Sequence, residues 1–180
     1  QFAKSIGGVN NPAVVFSSGE TGNREIFLLN GDGSIKVQLT NSLTSNVQPS
    51  WSPDGERVAF TSHRNGEWNI YTVGSDGTDL RKITNDNARQ GQPRWSPDGT
   101  QMAFWSYEDG QTGIYLIDSD GSNQVNLTPE LGWHFNPTWS PDGTSIVFQS
   151  ERNADSNLFT IDINTKSQEL ITTKPSFDGS

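Results

Sequence analysis

Short apolar stretches alternate along the chain with polar stretches rich in Gly, Asn, Asp and Ser. In 57–62 and 101–106 apolar residues occupy successive positions, which is typical of a strand covered on both faces. In 69–73 and 113–117 apolar and polar residues alternate more regularly, and an Asp-Gly pair follows each stretch, which favours a hairpin turn. The pattern therefore predicts many short antiparallel strands joined by tight turns.

One five-residue sequence organises this pattern. Trp-Ser-Pro-Asp-Gly occurs at 51–55, 95–99 and 139–143, with a period of 44 residues. Pro presets φ for the first turn position, Asp can bond its own local backbone, and Gly takes a positive φ, so each copy predicts a strand, a turn and a strand. Self-similarity at this period is typical of a repeat array or a propeller.

Rows of 44 residues align four copies without an insertion or a deletion. Equivalent positions carry the same kind of residue: Phe16, Phe60, Phe104 and Phe148; Ser18, Ser62, Ser106 and Ser150; Ile26, Ile70, Ile114 and Leu158; Thr40, Thr84, Thr128 and Thr172. Four antiparallel strands can be assigned in each copy, which is the content of a propeller blade. We predict an all-β fold, a β-propeller of four 44-residue, four-stranded antiparallel blades at about 3–46, 47–90, 91–134 and 135–172, forming a single domain over 1–180.

The two ends of the chain depart from the repeat. Gly-Gly-Val-Asn-Asn at 7–11 replaces the Trp-Ser-Pro-Asp-Gly sequence, so the innermost strand of the first copy, near 2–6, is predicted to be weaker than its equivalents. The tail 173–180 has the pattern of a shortened copy of 48–55. Two interpretations stay open: the tail adds an inner strand to the first blade and closes the ring, or it contacts a neighbouring molecule.

Composition and charge narrow the range of partners. The 180 residues carry a net charge of −9 without a basic run, which argues against DNA or RNA as a partner. The absence of Cys excludes disulfides and thiolate metal sites, and no apolar run approaches the roughly 18 residues of a membrane span. A start at Gln1 fits a mature product after leader removal or a trimmed chain.

The repeat Pro-x-Trp-Ser-Pro-Asp-Gly-x-x-x-Ala-Phe-x-Ser, followed by Ile-Tyr and then by Asp-Gly and Leu-Thr or Ile-Thr, resembles the repeats of the TolB-type β-propeller family. Members of that family are propellers of six or more blades and occur as periplasmic binding proteins, gating domains of serine peptidases, and modules of secreted and surface proteins. The resemblance implies export to the periplasm or the extracellular space. Because four copies are few for this family, the ring has four blades, or the chain is part of a larger ring, or two chains combine.

The candidate binding residues lie in the loops that differ between copies. The turns after the first and third strands are uniform, whereas the segments after the second and fourth strands vary, and such variation is where a specific partner would be recognised. Trp68, Tyr107, Trp133 and His134 are large rings in these segments, at positions where the other copies have small or polar residues. Exposed rings suit a protein or sugar partner; the alternative is that they pack over the blade ends. Trp105, next to Phe104, is expected to be buried between blades.

Sequence patterns for metal binding and catalysis are weak. The segment 118–123 has several side-chain oxygens, but the spacing of a calcium loop is not kept and position 12 is Pro129, so a hairpin turn is favoured. The two histidines, His63 and His134, lie in separate loops without a Gly-x-Ser-x-Gly sequence. We expect no enzymatic activity, no cofactor and no metal site among these residues; a cation in the central channel stays open as an alternative that no sequence pattern supports.

Three hypotheses for function remain. The first is a non-catalytic, exported propeller that acts as a scaffold for a protein partner or for copies of itself. The second is a module that binds a carbohydrate or another small ligand through Trp68, Tyr107 or Trp133. The third is a fragment of a larger TolB-like protein or of a peptidase propeller domain.

Overall fold

The computed structural model describes residues 13–152 and 156–172, and within these ranges the chain forms strands and turns without a helix. The same ranges offer no helix of the length and apolarity that a bilayer span needs. In chain order the strands are β1 Val14–Thr21, β2 Asn23–Leu29, β3 Lys36–Gln38, β4 Asn46–Trp51, β5 Arg57–Ser62, β6 Asn69–Gly74, β7 Arg81–Lys82, β8 Arg89–Trp95, β9 Gln101–Glu108, β10 Gln111–Asp118, β11 Val125–Asn126, β12 His134–Trp139, β13 Ser145–Ser150, β14 Asn157–Asp162 and β15 Gln168–Leu170.

The strands form one antiparallel sheet per sequence repeat. Blade 1 contains β1 to β3, blade 2 β4 to β7, blade 3 β8 to β11 and blade 4 β12 to β15, and within each blade the spatial order follows the chain. The strands β4, β8 and β12 contact each other in series, as inner strands that converge on a common axis do. The prediction of an all-β propeller with one antiparallel blade per 44-residue copy is confirmed. The predicted inner strand near 2–6 and the tail 173–180 lie outside the described residues.

The hydrophobic core lies between successive blades. Ile26 and Leu28 of blade 1 pack with Phe60 and Tyr71 of blade 2, and equivalent clusters join blades 2 and 3 and blades 3 and 4. In blade 2 the second strand is buried at every position after Arg57, as predicted for a strand covered on both faces. The third strand was expected to alternate, but β6 is buried at all six positions, because its two faces pack against two different blades.

The repeated Ser and Asp of the five-residue sequence build the turn after the first strand. In blade 2 the Ser52 hydroxyl donates to Asp54 Oδ1 (2.6 Å) and accepts from the backbone N–H of Arg57 (2.9 Å). The N–H of Gly55 donates to the Ser52 carbonyl (2.9 Å), and the φ of Gly55 is 70°. The predicted positive φ is therefore confirmed, and the turn is closed by side chains as well as by the backbone.

The repeated Thr after the fourth strand has an equally specific role. The hydroxyl of Thr84 accepts a hydrogen bond from the N–H of Ile70 (3.0 Å), 14 residues earlier and inside the blade. The same bond recurs in every blade, from Ile26 to Thr40, from Ile114 to Thr128 and from Leu158 to Thr172. Each Thr thus satisfies a backbone donor that the short outer strand leaves unpaired.

A ladder of amide side chains links the inner strands. Gln48, Gln92 and Asn136 occupy equivalent positions at irregularities of β4, β8 and β12, each with a φ between 53° and 56°. Gln48 Oε1 accepts from the N–H of Gln92, and Gln92 Oε1 accepts from the N–H of Asn136, both at 3.0 Å. The left-handed backbone, which is uncommon for residues other than Gly, therefore points each N–H at the preceding blade.

Candidate functional site

The loops that differ between the copies group at one end of the strands, as predicted. There the N–H of Gln90, at the start of β8, donates to the carbonyl of Trp68 (2.8 Å). The N–H of Glu151 donates to the carbonyl of Trp133 (2.8 Å), just before β12. In blades 2 and 4 the loop after the second strand is therefore bonded to the beginning of a first strand. At the other end, the N–H of Ser75 donates to the backbone carbonyl of Glu56 (2.9 Å), and this bond joins the two uniform turns of blade 2. We call the end with the differing loops the variable face.

Four aromatic side chains form a continuous row on the variable face, across the boundary between blades 3 and 4. Tyr107 and Trp133 stack at 6.0 Å between ring centroids, Trp133 and Phe135 at 6.2 Å, and Trp105 meets Phe135 edge-on at 6.2 Å. Tyr107 is 36% exposed and Trp133 is 44% exposed. We call these four residues the ring row. Its members come in pairs two residues apart because side chains at i and i+2 of a strand share a face.

The backbone of β8 makes room for the ring row. A Cβ atom on Gly91 would lie 2.6 Å from Cζ2 of Trp105, closer than side chains approach each other, so only Gly fits opposite this indole. The equivalent pairs in the other blades are Val47 with Thr61 and Phe135 with Gln149. Trp105 was expected to be buried between blades. It packs against the cluster between blades 3 and 4, but it is only half-buried.

Trp68 lies on a groove next to the ring row. It is half-buried, and its ring lies 5.0 Å from that of His63. Trp68 and Trp105 both line this groove, which has a volume of about 240 Å³ and also includes Gln48, Arg89 and Gln90. Three of the four predicted binding residues, Trp68, Tyr107 and Trp133, therefore reach one continuous surface, which Trp105 connects.

His134 does not reach that surface, and the expectation of an exposed ring is wrong for this residue. Its exposed fraction is 0%, and its ring packs edge-on against Phe148 at 5.6 Å between centroids. Burial, and then the positive charge of Arg152, lower the pKa of the His134 imidazole. The repeat alignment contains part of the signal for this outcome, because the equivalent residues Asn46 and Gln90 are also polar. In the structure both lie within the first two residues of an inner strand and are fully buried.

The oxygen-rich segment of blade 3 is a hairpin turn between β10 and β11, as favoured from the sequence. The N–H of Gly121 donates to the Asp118 carbonyl (2.9 Å), and Asp120 Oδ1 accepts from the N–H of Ser122 (2.8 Å). Hydrogen bonds from the side chains of Gln101 and Asn123 lower the pKa of the Asp118 carboxyl. Both carboxylates are thus engaged in bonds that hold the turn.

Phe135 was not among the residues predicted from the sequence, because the size difference between the copies singles out its neighbour His134. The period-2 rule gives the signal: in 133–135 the first and third side chains point to one face of the chain, and the second points to the other. Trp133 and Phe135 therefore belong together, and His134 belongs to the interior.

The blades, the inter-blade core and the variable face define the class of protein: a β-propeller of antiparallel blades, three of them four-stranded within the described residues, with its sequence differences concentrated at one end. The sequence profile of the TolB beta propeller domain matches residues 10–92 and again residues 79–179. The chain belongs to this family.

Individual relatives agree with the family assignment. A TolB homolog of Chlorobaculum tepidum is 48% identical over 42 residues, which is 23% of this chain and 10% of that protein. Among solved structures, a protein assigned as TolB from Agrobacterium tumefaciens is 27% identical with a TM-score of 0.80, over 88% of this chain and 60% of its own. TolB from Acinetobacter baumannii is 26% identical with a TM-score of 0.76, over 93% of this chain and 42% of its own.

The chain thus spans only part of the length of these relatives. Peptidase structures less than 25% identical to it also match, and they show the fold alone.

Proposed function

We propose that this chain is a non-catalytic, exported propeller module that binds a protein partner on its variable face. The observation that carries the proposal is the ring row, in which Tyr107 and Trp133 stack on each other while more than a third of each side chain stays exposed. Tyr and Trp are enriched at the energetic centres of protein interfaces, since they bring a large contact area with little conformational freedom to lose. Export is supported by the family resemblance.

Rigidity of the ring row supports the same conclusion. Phe135 stacks under Trp133, Trp105 meets Phe135, and Gly91 leaves the space that Trp105 needs. The exposed rings are therefore held in place before a partner arrives, which lowers the entropic cost of binding.

The test is quantitative capture of partners by the immobilised chain from an envelope extract of the source organism. A variant with Tyr107→Ser and Trp133→Ser is compared with Val125→Ser, which removes a 42% exposed apolar residue from the outer strand of the same blade. We expect the double variant to lose at least tenfold in the amount of partner retained, and Val125→Ser to retain it. Equal retention by both variants would refute the proposal.

Association with further blades, from a second copy or from a longer chain, is a second candidate. At two positions of the repeat, the apolar residue is buried in blades 1 to 3 and exposed in blade 4. Leu158 is 41% exposed, whereas its equivalents Ile26, Ile70 and Ile114 are 0% exposed. Ile171 is 49% exposed, whereas its equivalents Leu39, Ile83 and Leu127 are 1–5% exposed. In the first three blades these positions pack against the next blade. The outer face of blade 4 therefore has the chemistry of an inter-blade contact.

Light scattering on the purified chain distinguishes the two sources of that contact. Self-assembly predicts particles of at least twice 19.8 kDa that dissociate in Ile171→Lys. A single species of 19.8 kDa would exclude self-assembly and leave blades of a longer protein as the source. We also propose that residues 1–180 form one domain, whose tail at 173–180 closes the ring or contacts a neighbouring molecule. Light scattering on a chain that ends at 172 tests the tail, because loss of self-assembly in this shorter chain would support contact with a neighbour.

A carbohydrate or another small ligand is the third candidate, supported by the groove between Trp68 and Trp105 with its volume of about 240 Å³. Aromatic walls with a few polar groups such as Arg89 and Gln48 are typical of small-ligand sites. A glycan array with the wild-type chain and Trp68→Ala tests it. Binding that is insensitive to this substitution would contradict a role for the groove.

A further inference from the structure

A half-buried arginine recurs in alternate blades, directly after the second strand. Arg64 of blade 2 donates from Nε to Ser62 Oγ (3.0 Å), and its Cζ lies 4.7 Å from the ring centroid of Tyr71. Arg152 of blade 4 repeats the arrangement, with Nε donating to Ser150 Oγ (2.9 Å) and Cζ 4.3 Å from the ring of Phe159. In both blades a guanidinium thus rests on an aromatic face and is anchored by the last Ser of the strand.

Blade 3 has a carboxylate in place of this arginine. Glu108 occupies the equivalent position, 44 residues from Arg64 and from Arg152. The ring that would lie under a guanidinium is present, because Tyr115 is the equivalent of Tyr71 and packs beside Phe104 at 5.8 Å between centroids. The Tyr115 hydroxyl donates to Glu108 Oε2 (2.9 Å), and burial followed by this bond raises the pKa of the Tyr115 phenol, so the hydroxyl remains a donor.

The exchange leaves a polar cavity of about 70 Å³ in blade 3, lined by Ser106, Glu108, Asp109, Gly113, Tyr115 and Asn126 among others. Gly113 contributes no side chain where the other copies have Glu25, Asn69 and Asn157. One water molecule needs only about 10–15 Å³ of such volume, so the cavity admits a planar group of several atoms.

Ser106 gives an independent indication of what the cavity accepts. Its exposed fraction is 0%, and within the described part of the chain its hydroxyl has no hydrogen-bond partner. The equivalent hydroxyls of Ser62 and Ser150 each accept from an arginine Nε. By the repeat, Ser106 Oγ faces the position at which blades 2 and 4 hold a guanidinium, and a buried polar atom of this kind is costly unless it is paired.

Two carboxylates at the rim supply the matching charge. Glu108 and Asp109 are exposed, and among the residues that the structure describes neither takes part in an ion pair. A cation that enters beside them would lose its hydration shell and would gain charge-assisted hydrogen bonds and contact with the Tyr115 ring. A charged group can be buried only when such pairing replaces water.

We propose that the cavity formed by Ser106, Glu108, Asp109, Gly113 and Tyr115 binds the guanidinium of an arginine side chain presented by the protein partner. The proposal rests on the proposed function and names the chemistry of that partner. Tyr107 of the ring row and Glu108 of the cavity are consecutive residues at the end of β9, on opposite faces of the blade 3 sheet. A partner that covers this end of blade 3 would contact the ring row with an apolar surface and the cavity with a nearby arginine.

The test is a titration of the ¹⁵N-labelled chain with N-acetyl-arginine amide, followed through the backbone amides of Ser106 and Gly113. N-acetyl-citrulline amide is the matched probe, because it has nearly the same shape without the charge. We expect saturable shifts with the arginine probe only, and an affinity about tenfold lower in Glu108→Gln. Glu56→Gln, which removes an exposed carboxylate from the uniform turn of blade 2, is the control and should not change the affinity.

A second variant tests the repeat argument directly. Glu108→Arg places the chain's own guanidinium in the cavity, and we expect it to abolish the shifts caused by the arginine probe and to raise the melting temperature. Equal shifts with both probes, no saturable shift, or an unchanged affinity in Glu108→Gln would each overturn the proposal. If Glu108→Gln retains the captured partner while the Tyr107 and Trp133 double variant loses it, the arginine site is refuted and the proposed function stands.

Discussion

Gly121 lies in the turn between β10 and β11, against the backbone of Ile83 in blade 2. A Cβ atom on Gly121 would lie 2.6 Å from the carbonyl oxygen of Ile83, and the φ of Gly121 is +92°. Gly121→Ala therefore adds two costs: about 1–2 kcal/mol for a left-handed alanine and about 1–3 kcal/mol for forcing two packed blades apart. The variant should lose about 2–5 kcal/mol of unfolding free energy.

The repeat supplies two matched controls for this substitution. Gly33 has a φ of +74° with nothing within 4 Å of the position that an added methyl group would occupy, and Gly77 has a φ of +82° with the Leu39 carbonyl at an ordinary 3.6 Å. Gly33→Ala and Gly77→Ala should therefore lose only the conformational cost, about 1–2 kcal/mol. The difference between Gly121→Ala and these controls isolates the contact between blades.

Urea denaturation followed by tryptophan fluorescence measures the difference. With a slope of about 2 kcal/mol per molar urea, the midpoint of Gly121→Ala should fall about 1 M below those of the two controls. The slope should stay the same in all three variants. Equal midpoints for the three variants would refute the inference that turn-to-strand contacts hold successive blades at this distance.

Three further predictions concern single side chains. Thr84→Val should cost about 1–2 kcal/mol by leaving the buried N–H of Ile70 unpaired, whereas Thr172→Val should cost less because the corresponding bond is exposed; equal losses in thermal melts would contradict this. The pKa of His134 is lowered in the folded chain, so the unfolded chain takes up a proton first as the pH falls, and stability should fall below about pH 6.5. His134→Gln should reduce this pH dependence of the melting temperature between pH 7.5 and 5. An unchanged pH dependence in this variant would contradict the prediction. Hydrogen bonds from Ser140 and Thr144 lower the pKa of Asp142 to about 2, so an NMR titration should show its carboxyl protonating near pH 2. The stability that these hydrogen bonds contribute should be lost as the pH falls from about 4 to 2. A titration midpoint near pH 4 would contradict the prediction.

The repeat sequence predicted the architecture because each local signal agreed with the others. The period of 44 residues located every blade, and the Pro-Asp-Gly turns located the first two strands of blades 2 to 4. Such agreement between turn chemistry, apolar pattern and spacing is what makes a sequence specify one fold. Alternation in β6 was the exception, since the local pattern does not reveal that neighbouring blades cover both faces of this strand.

The candidate site could be predicted only in part, because exposure depends on which face of a strand a residue occupies. Trp68, Tyr107 and Trp133 were found from their unusual size in the alignment of the copies, and the same criterion wrongly included His134. The contact between Trp105 and Phe135 joins two blades, and no local signal predicts a contact 30 residues apart in the chain.

Site-specific photocross-linking tests the central claim, that the variable face binds a protein partner, most directly. The photoreactive residue p-benzoylphenylalanine replaces either Tyr107 on the ring row or Val125 on the outer strand of the same blade, and cross-linking is carried out in cells of the source organism. We expect a defined protein adduct from position 107 that is absent from position 125. The same adduct from both positions, or an adduct from position 125 alone, would contradict the claim.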